Sequence, residues 1–232
     1  MSESLAGAPV LSARGLTRVF AGASGAADVT ACSYISLDLS AGQLLVIRGR
    51  SGSGKTTLLN LLGALDRPTS GTVTLGTLDL TATSEADLVD IRRERLGFVF
   101  QNFGLIPALS AAENIELPLR LAGMDATARA DRVAELLEAV GLTKHARQRP
   151  AELSGGQQQR VGIARAIARE PEILLADEPT GQLDSSTGAS MMELIVSLVR
   201  TKGIAAVVTT HDPALIERAD ASLELRDGAL KL

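Results

Sequence analysis

Gly49-Arg50-Ser51-Gly52-Ser53-Gly54-Lys55-Thr56-Thr57 is the stretch whose reading decides the fold. Ahead of it stands Leu44-Leu45-Val46-Ile47, an apolar run suited to a buried strand, and Thr56 to Leu65 behind it is a leucine-rich helical stretch. In that strand, loop, helix order the pattern G-x-x-x-x-G-K-[ST] has a mechanism. Gly49, Gly52 and Gly54 let successive backbone N–H groups, those of Arg50, Ser51, Ser53 and Thr57 among them, curl around an anion at a helix start. Lys55 is expected to reach the β- and γ-phosphates of a nucleotide and the Thr56 hydroxyl to ligate Mg²⁺. The helix itself adds roughly half a positive charge at its N-terminus.

The rest of the chain sets bounds on that reading. Its 232 residues fit one large domain or two small ones, and a single nucleotide-binding unit is the economical choice. A net charge of −4 gives no chain-wide attraction to nucleic acid, and 2% aromatic residues leave few platforms for stacking bases, so no nucleic-acid partner is expected. Cys32 is the single cysteine, which excludes an internal disulfide and suits a reducing, cytoplasmic compartment. Met1 to Leu5 lacks a basic region followed by an apolar core, and no apolar run approaches the ~20 residues of a membrane span.

In chain order, Val10 to Phe20 is predicted as a first strand, Ala21 to Ala27 as a surface turn, and Tyr34 to Ser40 as a half-buried strand with Ile35, Leu37 and Leu39 on one side. Asp66-Arg67-Pro68 stops the helix after the loop, and Gly71 to Leu75 is rich in β formers. Ser84 with Asp87 resembles a capping box for a charged helix reaching about Glu94. Leu96 to Phe100 reads as a buried strand ending at Gln101. Ligands gather at the carboxyl ends of parallel strands, so that amide is placed to touch Mg²⁺ or an attacking water.

From Ser110 to Gly141 the pattern turns helical, with Ser110 and Glu113 as a second capping box and Val133, Leu136, Leu137 and Val140 on one stripe. Leu153-Ser154-Gly155-Gly156-Gln157-Gln158-Gln159-Arg160 then repeats the phosphate-loop logic, a hydroxyl and two glycines at the start of a helix running through Ala168. Ile173-Leu174-Leu175 is a buried strand delivering two adjacent carboxylates to its end. Asp177 is suited to the Mg²⁺ hydration shell and Glu178 to polarising the water that attacks the γ-phosphate. Met191 to Val199 is predicted helical, Ile204 to Val208 forms another buried strand, and Asp227-Gly228 signals a closing hairpin. His145, beside Lys144 and Arg147, reads as a plain surface residue.

Leu153 to Arg160, with its central LSGGQ intact, resembles the signature motif of ABC-type ATPases. GRSGSGKTT upstream and Ile173 to Thr180 downstream extend the resemblance over nearly the whole chain in the expected order. The resemblance implies an α/β fold: a P-loop NTPase (RecA-like) core with an antiparallel β subdomain and an inserted α-helical subdomain. That is one nucleotide-binding domain over 1–232, with the helical insertion at 104–159. It implies that Ser154, Gly155, Gly156 and Gln157 close the ATP site of a second cassette copy, and that Gly181-Gln182-Leu183-Asp184 is the loop along the dimer interface, with Asp184 beside the nucleotide. Gln182 departs from the Asn or Ala common there. His211 matches the histidine that contacts the γ-phosphate, and Phe20 the aromatic that stacks on adenine, with Tyr34 as a weaker candidate.

Gly97 to Pro107 and Glu113 to Leu119 are similar to the subgroup of lipoprotein-release and macrolide-export ATPases. That implies an integral-membrane permease partner gripped near Gln101 to Pro118, and a peripheral position on the cytoplasmic face of the cell membrane. Two outputs fit these motifs: export or extraction of a substrate, and mechanical signalling through a membrane partner to an extracellular enzyme. A P-loop kinase or GTPase is disfavoured by the intact LSGGQ and by the lack of an Asn-Lys-x-Asp segment.

Overall fold

The computed structural model describes residues 8–22 and 27–231. The turn expected from Ala21 to Ala27 lies largely outside the described residues, as does the Met1 to Leu5 start. Among the described residues, ten strands and seven α-helices are arranged as two sheets with helices between and outside them.

The smaller sheet is antiparallel, in the order β2-β1-β4-β5, from β1 (Leu11–Phe20), β2 (Val29–Leu39), β4 (Ser70–Leu75) and β5 (Leu78–Asp79). The larger sheet has the order β10-β9-β3-β8-β7-β6. Its strands are β3 (Leu44–Arg48), β6 (Leu96–Val99), β7 (Ile173–Asp177), β8 (Ala205–Thr209), β9 (Ala221–Arg226) and β10 (Ala229–Lys231). From β9 to β6 every pairing is parallel, and β10 folds back antiparallel through the predicted Asp227-Gly228 turn, where both residues take positive φ.

Side chains on a strand alternate between faces, and in this sheet the alternation divides the core in two. Leu45, Ile47, Ile173, Leu175, Ala205 and Val207 face the antiparallel sheet and α1 (Lys55–Leu62). Leu44, Val46, Leu174, Ala176, Ala206 and Val208 face the helices on the other side: α3 (Ala111–Leu121), α4 (Ala126–Ala139), α5 (Gly155–Ala166) and α6 (Ser185–Lys202). A strand buried on both faces needs an unbroken apolar run, which is why β3, β7 and β8 carry no polar residue before their carboxyl ends. The remaining helices, α2 (Glu85–Glu94) and α7 (Pro213–Arg218), are short, and α2 starts on the Ser84 cap.

Several boundaries differ from the sequence expectation. The helix expected to reach Leu65 stops at Leu62. Gly63 passes so close beneath β6 and β7 that an added Cβ would meet Phe98 Cε1 at 2.4 Å and Leu175 Cδ1 at 2.7 Å, and Ala64 then turns left-handed at φ 52°. α5 ends at Ala166, not Ala168. α6 is twice as long as its apolar stripe indicated, because the Asp184 carboxylate caps it at one end and Gly203, at φ 67°, ends it at the other. β6 ends one residue early, leaving Phe100 part-exposed on a turn.

Candidate functional site

The loop 49–54 leaves the carboxyl end of β3 and closes onto α1. Its glycines are fixed by contact as well as by conformation. A Cβ on Gly49 would lie 2.3 Å from Leu225 O, and one on Gly54, at φ 101°, would lie 2.1 Å from Ala31 O. The loop is thus wedged between β9 and β2, and a cleft of about 300 Å³ lies along it, bordered by Arg50, Ser51, Ser53 and Arg226. Cys32, next to Ala31, is buried against Gly54, and burial pushes its thiol up to about 11, so it serves as packing rather than as a nucleophile.

Lys55 is buried although charged. Its Nζ donates to Gly49 O at 2.8 Å and Arg50 O at 3.2 Å, and pairs with Glu178 Oε1 at 3.2 Å. Those oxygens satisfy the ammonium from within the loop, holding it where an anion in the cradle would meet it.

The two carboxylates after β7 have separate partners, as adjacent strand-end residues must. Asp177 accepts hydrogen bonds from Thr56 Oγ1 at 2.7 Å and from Thr209 Oγ1 at 2.6 Å, the latter on the neighbouring strand in direct register. Glu178 takes a left-handed backbone, φ 43°, and its N–H donates to the Thr209 carbonyl at 3.1 Å and hydroxyl at 2.9 Å. That turn points its carboxylate the other way, between Lys55 and His211, whose Nδ1 donates to Oε2 at 3.1 Å. Glu178 is largely covered, its side chain 15% exposed, whereas His211 at 80% stands in the open cleft mouth. Gln101 sits on the turn after β6 with its Nε2 beside Gly181, and among the described residues nothing hydrogen-bonds to its amide.

Phe20 ends β1 with its ring 41% exposed. Arg18 lies over one face of that ring, 4.4 Å from the centroid, and is held there by Asp66 at 2.8 Å. Arg18 pairs with Cys32 across β1 and β2, and Cys32 touches Gly54, so the antiparallel sheet carries this aromatic to the edge of the phosphate loop. Tyr34 is 80% exposed on a left-handed bulge of β2 and packs beside Gly15.

A second cradle stands at the start of α5. Ser154 caps the helix, its Oγ accepting from Gln157 N–H while Gln157 Oε1 accepts from Ser154 N–H, the reciprocal box. Gly156 is pressed against Thr187 of α6, where a Cβ would lie 2.3 Å from Cγ2, and Gly155 faces Leu183 and Phe103. The signature turn and the loop 181–184 are therefore packed as one piece. Asp184 accepts from Ser186 and Thr187, and those side-chain hydrogen bonds hold its carboxyl well below the usual carboxylate range. None of the residues crowding the signature glycines is among those crowding the phosphate-loop glycines.

Sequence reasoning missed four residues here. Thr209 braces both carboxylates, yet its role exists only because β8 lies beside β7. Arg18 and Asp66 back the aromatic from positions far apart in sequence. His145 corrects the plain-surface reading: it is half-buried, with Nδ1 2.7 Å from Gln148 Oε1 and Nε2 3.2 Å from Gln157 Nε2.

Comparison with known proteins gives the same picture. The ABC transporter family model matches residues 32–181. The ABC transporter ATP-binding protein YtrE of Bacillus subtilis is 45% identical over 204 residues, 88% of each chain. The macrolide export ATP-binding/permease protein MacB of Rhodopseudomonas palustris is 44% identical over 94% of this chain, which spans about a third (33%) of that longer relative. Among solved structures, the dimeric bacterial ABC transporter cassette MJ0796 superposes with a TM-score of 0.89 at 40% identity, covering 96% of this chain and 97% of that one. Its post-hydrolysis dimer with ADP and Pi fits equally, at 0.89.

Proposed function

The chain belongs to the ABC transporter family, and we propose that it is the ATP-binding and ATP-hydrolysing cassette of a membrane export complex, working as a head-to-tail pair. The observation that carries this reading is the convergence of Lys55, Glu178 and His211 around one carboxylate at the carboxyl ends of β3, β7 and β8.

Within that reading the backbone N–H groups of Gly49 to Thr57, with Lys55, bind the ATP phosphates, and Phe20 stacks on adenine. Thr56 and Asp177 supply hard oxygen donors already drawn together, a set that fits Mg²⁺, and Gln101, which meets Gly181 close to Glu178, is the third candidate ligand. A divalent ion held there would neutralise phosphate charge as it builds in the transition state. Glu178 is the base that takes the proton of the attacking water. Phosphates that engage Lys55 compete for the hydrogen bonds the ammonium now gives Glu178, releasing the carboxylate for that task. His211, already bonded to Glu178, holds the carboxylate's orientation and faces the γ-phosphate.

Ser154 to Gln157 and Asp184 serve a second copy's nucleotide. The dimeric cassettes among the solved relatives support this, and so does the separation of the two cradles within one chain. The permease partner docks on a groove of about 460 Å³ formed by Phe98, Phe100, Leu117, Pro118 and Leu121 and edged by Arg93, which includes the end of the stretch expected to be gripped. Relatives named for macrolide, syringafactin and pyoverdine export favour export over mechanical signalling. No helix among the described residues is long and apolar enough to cross a membrane, and we place the chain peripherally on the cytoplasmic face. The whole of 1–232 is taken as one nucleotide-binding domain, with 104–159 as its helical insertion.

Glu178→Gln tests the core of this. It should bind ATP, lose phosphate release by about 10²–10⁴-fold, and accumulate as a dimer on ATP addition by light scattering. Lys55→Ala should neither bind nor dimerise, and Ser154→Arg should bind without dimerising. Near-normal turnover in Glu178→Gln, or dimers of Ser154→Arg, would overturn the assignment.

A further inference from the structure

We infer that His145 is a positioning residue for the signature turn, locking the Gln157 amide so that the first turn of α5 is preset for the partner copy's phosphates. This rests on the reading that Ser154 to Gln157 closes a second copy's site.

The ring is placed by backbone, not by chance. The 3-10 turn Thr143–His145 follows α4, His145 N–H donates to Leu142 O at 2.8 Å, and the next residues are tied to the start of α3 by Ala112 N to Ala146 O and Ala111 N to Gln148 O. The polarity of the chain of contacts then follows from one bond. Gln157 Oε1 accepts from Ser154 N–H at 2.8 Å, so it is the amide nitrogen that faces His145. That nitrogen can only donate, so His145 Nε2 is the acceptor and the imidazole hydrogen sits on Nδ1, where it donates to Gln148 Oε1 at 2.7 Å.

The relay therefore runs from Gln148 through His145 and Gln157 to the Ser154 backbone, every donor meeting an acceptor. Flipping the Gln157 amide would set its carbonyl against the Nε2 lone pair and its NH₂ against Ser154 N–H, two mismatches at once. The side chain that completes the capping box is thereby held in one orientation. The opposite flank of the same turn is fixed by Thr187 and Leu183 against Gly156 and Gly155. A donor array held from both sides loses little freedom on meeting an anion. A surface histidine would need none of these partners.

The test uses the full chain carrying Glu178→Gln, so that ATP-driven pairing accumulates, and reads two quantities: ATP binding at protein concentrations too low to dimerise, and the ATP concentration giving half-maximal dimer by light scattering. His145→Leu removes the acceptor. It should raise the half-maximal concentration about three- to tenfold, the scale of one hydrogen bond, with ATP binding by the single chain unchanged. His145→Gln, whose Oε1 offers an acceptor in place of Nε2, should recover most of the loss. Gln148→Leu, which frees the ring to change tautomer, should shift dimerisation in the same direction by less, and serves if His145→Leu does not fold. If His145→Leu and Gln148→Leu both pair at the parent's ATP concentration while Ser154→Arg does not, the positioning role is overturned and the opposing-wall reading stands. If His145→Gln is as impaired as His145→Leu, ring packing and not the hydrogen bond is responsible. If Ser154→Arg pairs normally, the opposing-wall reading fails, and this role with it.

Discussion

Glu178 occupies a left-handed backbone conformation that costs a non-glycine residue roughly 1–3 kcal/mol, and the bonds from its N–H to Thr209 hold it there. The gain is direction: Asp177 faces the Thr56 hydroxyl and Glu178 faces Lys55, so one strand end supplies two carboxylates to two tasks. Lys55, Asp177 and Glu178 could be singled out from the sequence because each lies in a run of neighbours with a stated mechanism, and the structure brings Lys55 against Glu178 and Thr56 against Asp177. Arg18 could not be singled out, since its meaning depends on Phe20 and on Asp66, which the fold brings from 48 positions away. Arg18 covers one face of the Phe20 ring, and in the proposed function the other face takes adenine. Arg18→Ala should raise the ATP dissociation constant about two- to fivefold by calorimetry, the scale of an exposed cation–π contact, and Asp66→Asn should do the same more weakly. Unchanged binding in Arg18→Ala would remove any part for the stack in nucleotide affinity.

Elements were legible wherever one periodicity and one cap decided them. α3 begins at Ser110 with its reciprocal box to Glu113, and α5 at Ser154 with the same device, as the sequence pattern requires. Ends set by packing were not legible. α1 ends where Ala64 turns left-handed and Leu65 N–H closes back on Asn60 O at 2.8 Å, and it is the approach of β6 and β7 that requires glycine at position 63. Gly63→Ala would drive a methyl into Phe98 and Leu175, an overpacking expected to cost about 1–3 kcal/mol in urea-induced unfolding. A loss below a few tenths of that would mean that Phe98 and Leu175 yield easily and that the close approach does not require glycine. α6 makes the complementary point, because its polar first turn carries no apolar stripe and is helical through the Asp184 cap and contact with Gly156.

For the whole molecule, the parallel sheet places the phosphate loop, both carboxylates and His211 at the carboxyl ends of neighbouring strands, where helix N-termini and exposed strand ends meet. Its lateral edge, along β6, carries the apolar groove, with Leu121 63% exposed beside it. Leu121→Asp should strongly reduce copurification of the native membrane partner while leaving ATP binding by the isolated chain intact. Retention of the partner at parental yield would place the docking surface elsewhere. The sequence by itself determined the ATPase family, the strand and helix types and the glycine turns that open α1 and α5, because each is encoded within a short run whose residues act on their own neighbours. The tertiary structure alone decided that Thr209 braces the carboxylates, that Arg18 backs Phe20 and that His145 reaches the signature. Those depend on β8 lying against β7, β1 against β2, and the turn after α4 against α5, and register and packing between distant segments leave no local trace in the chain.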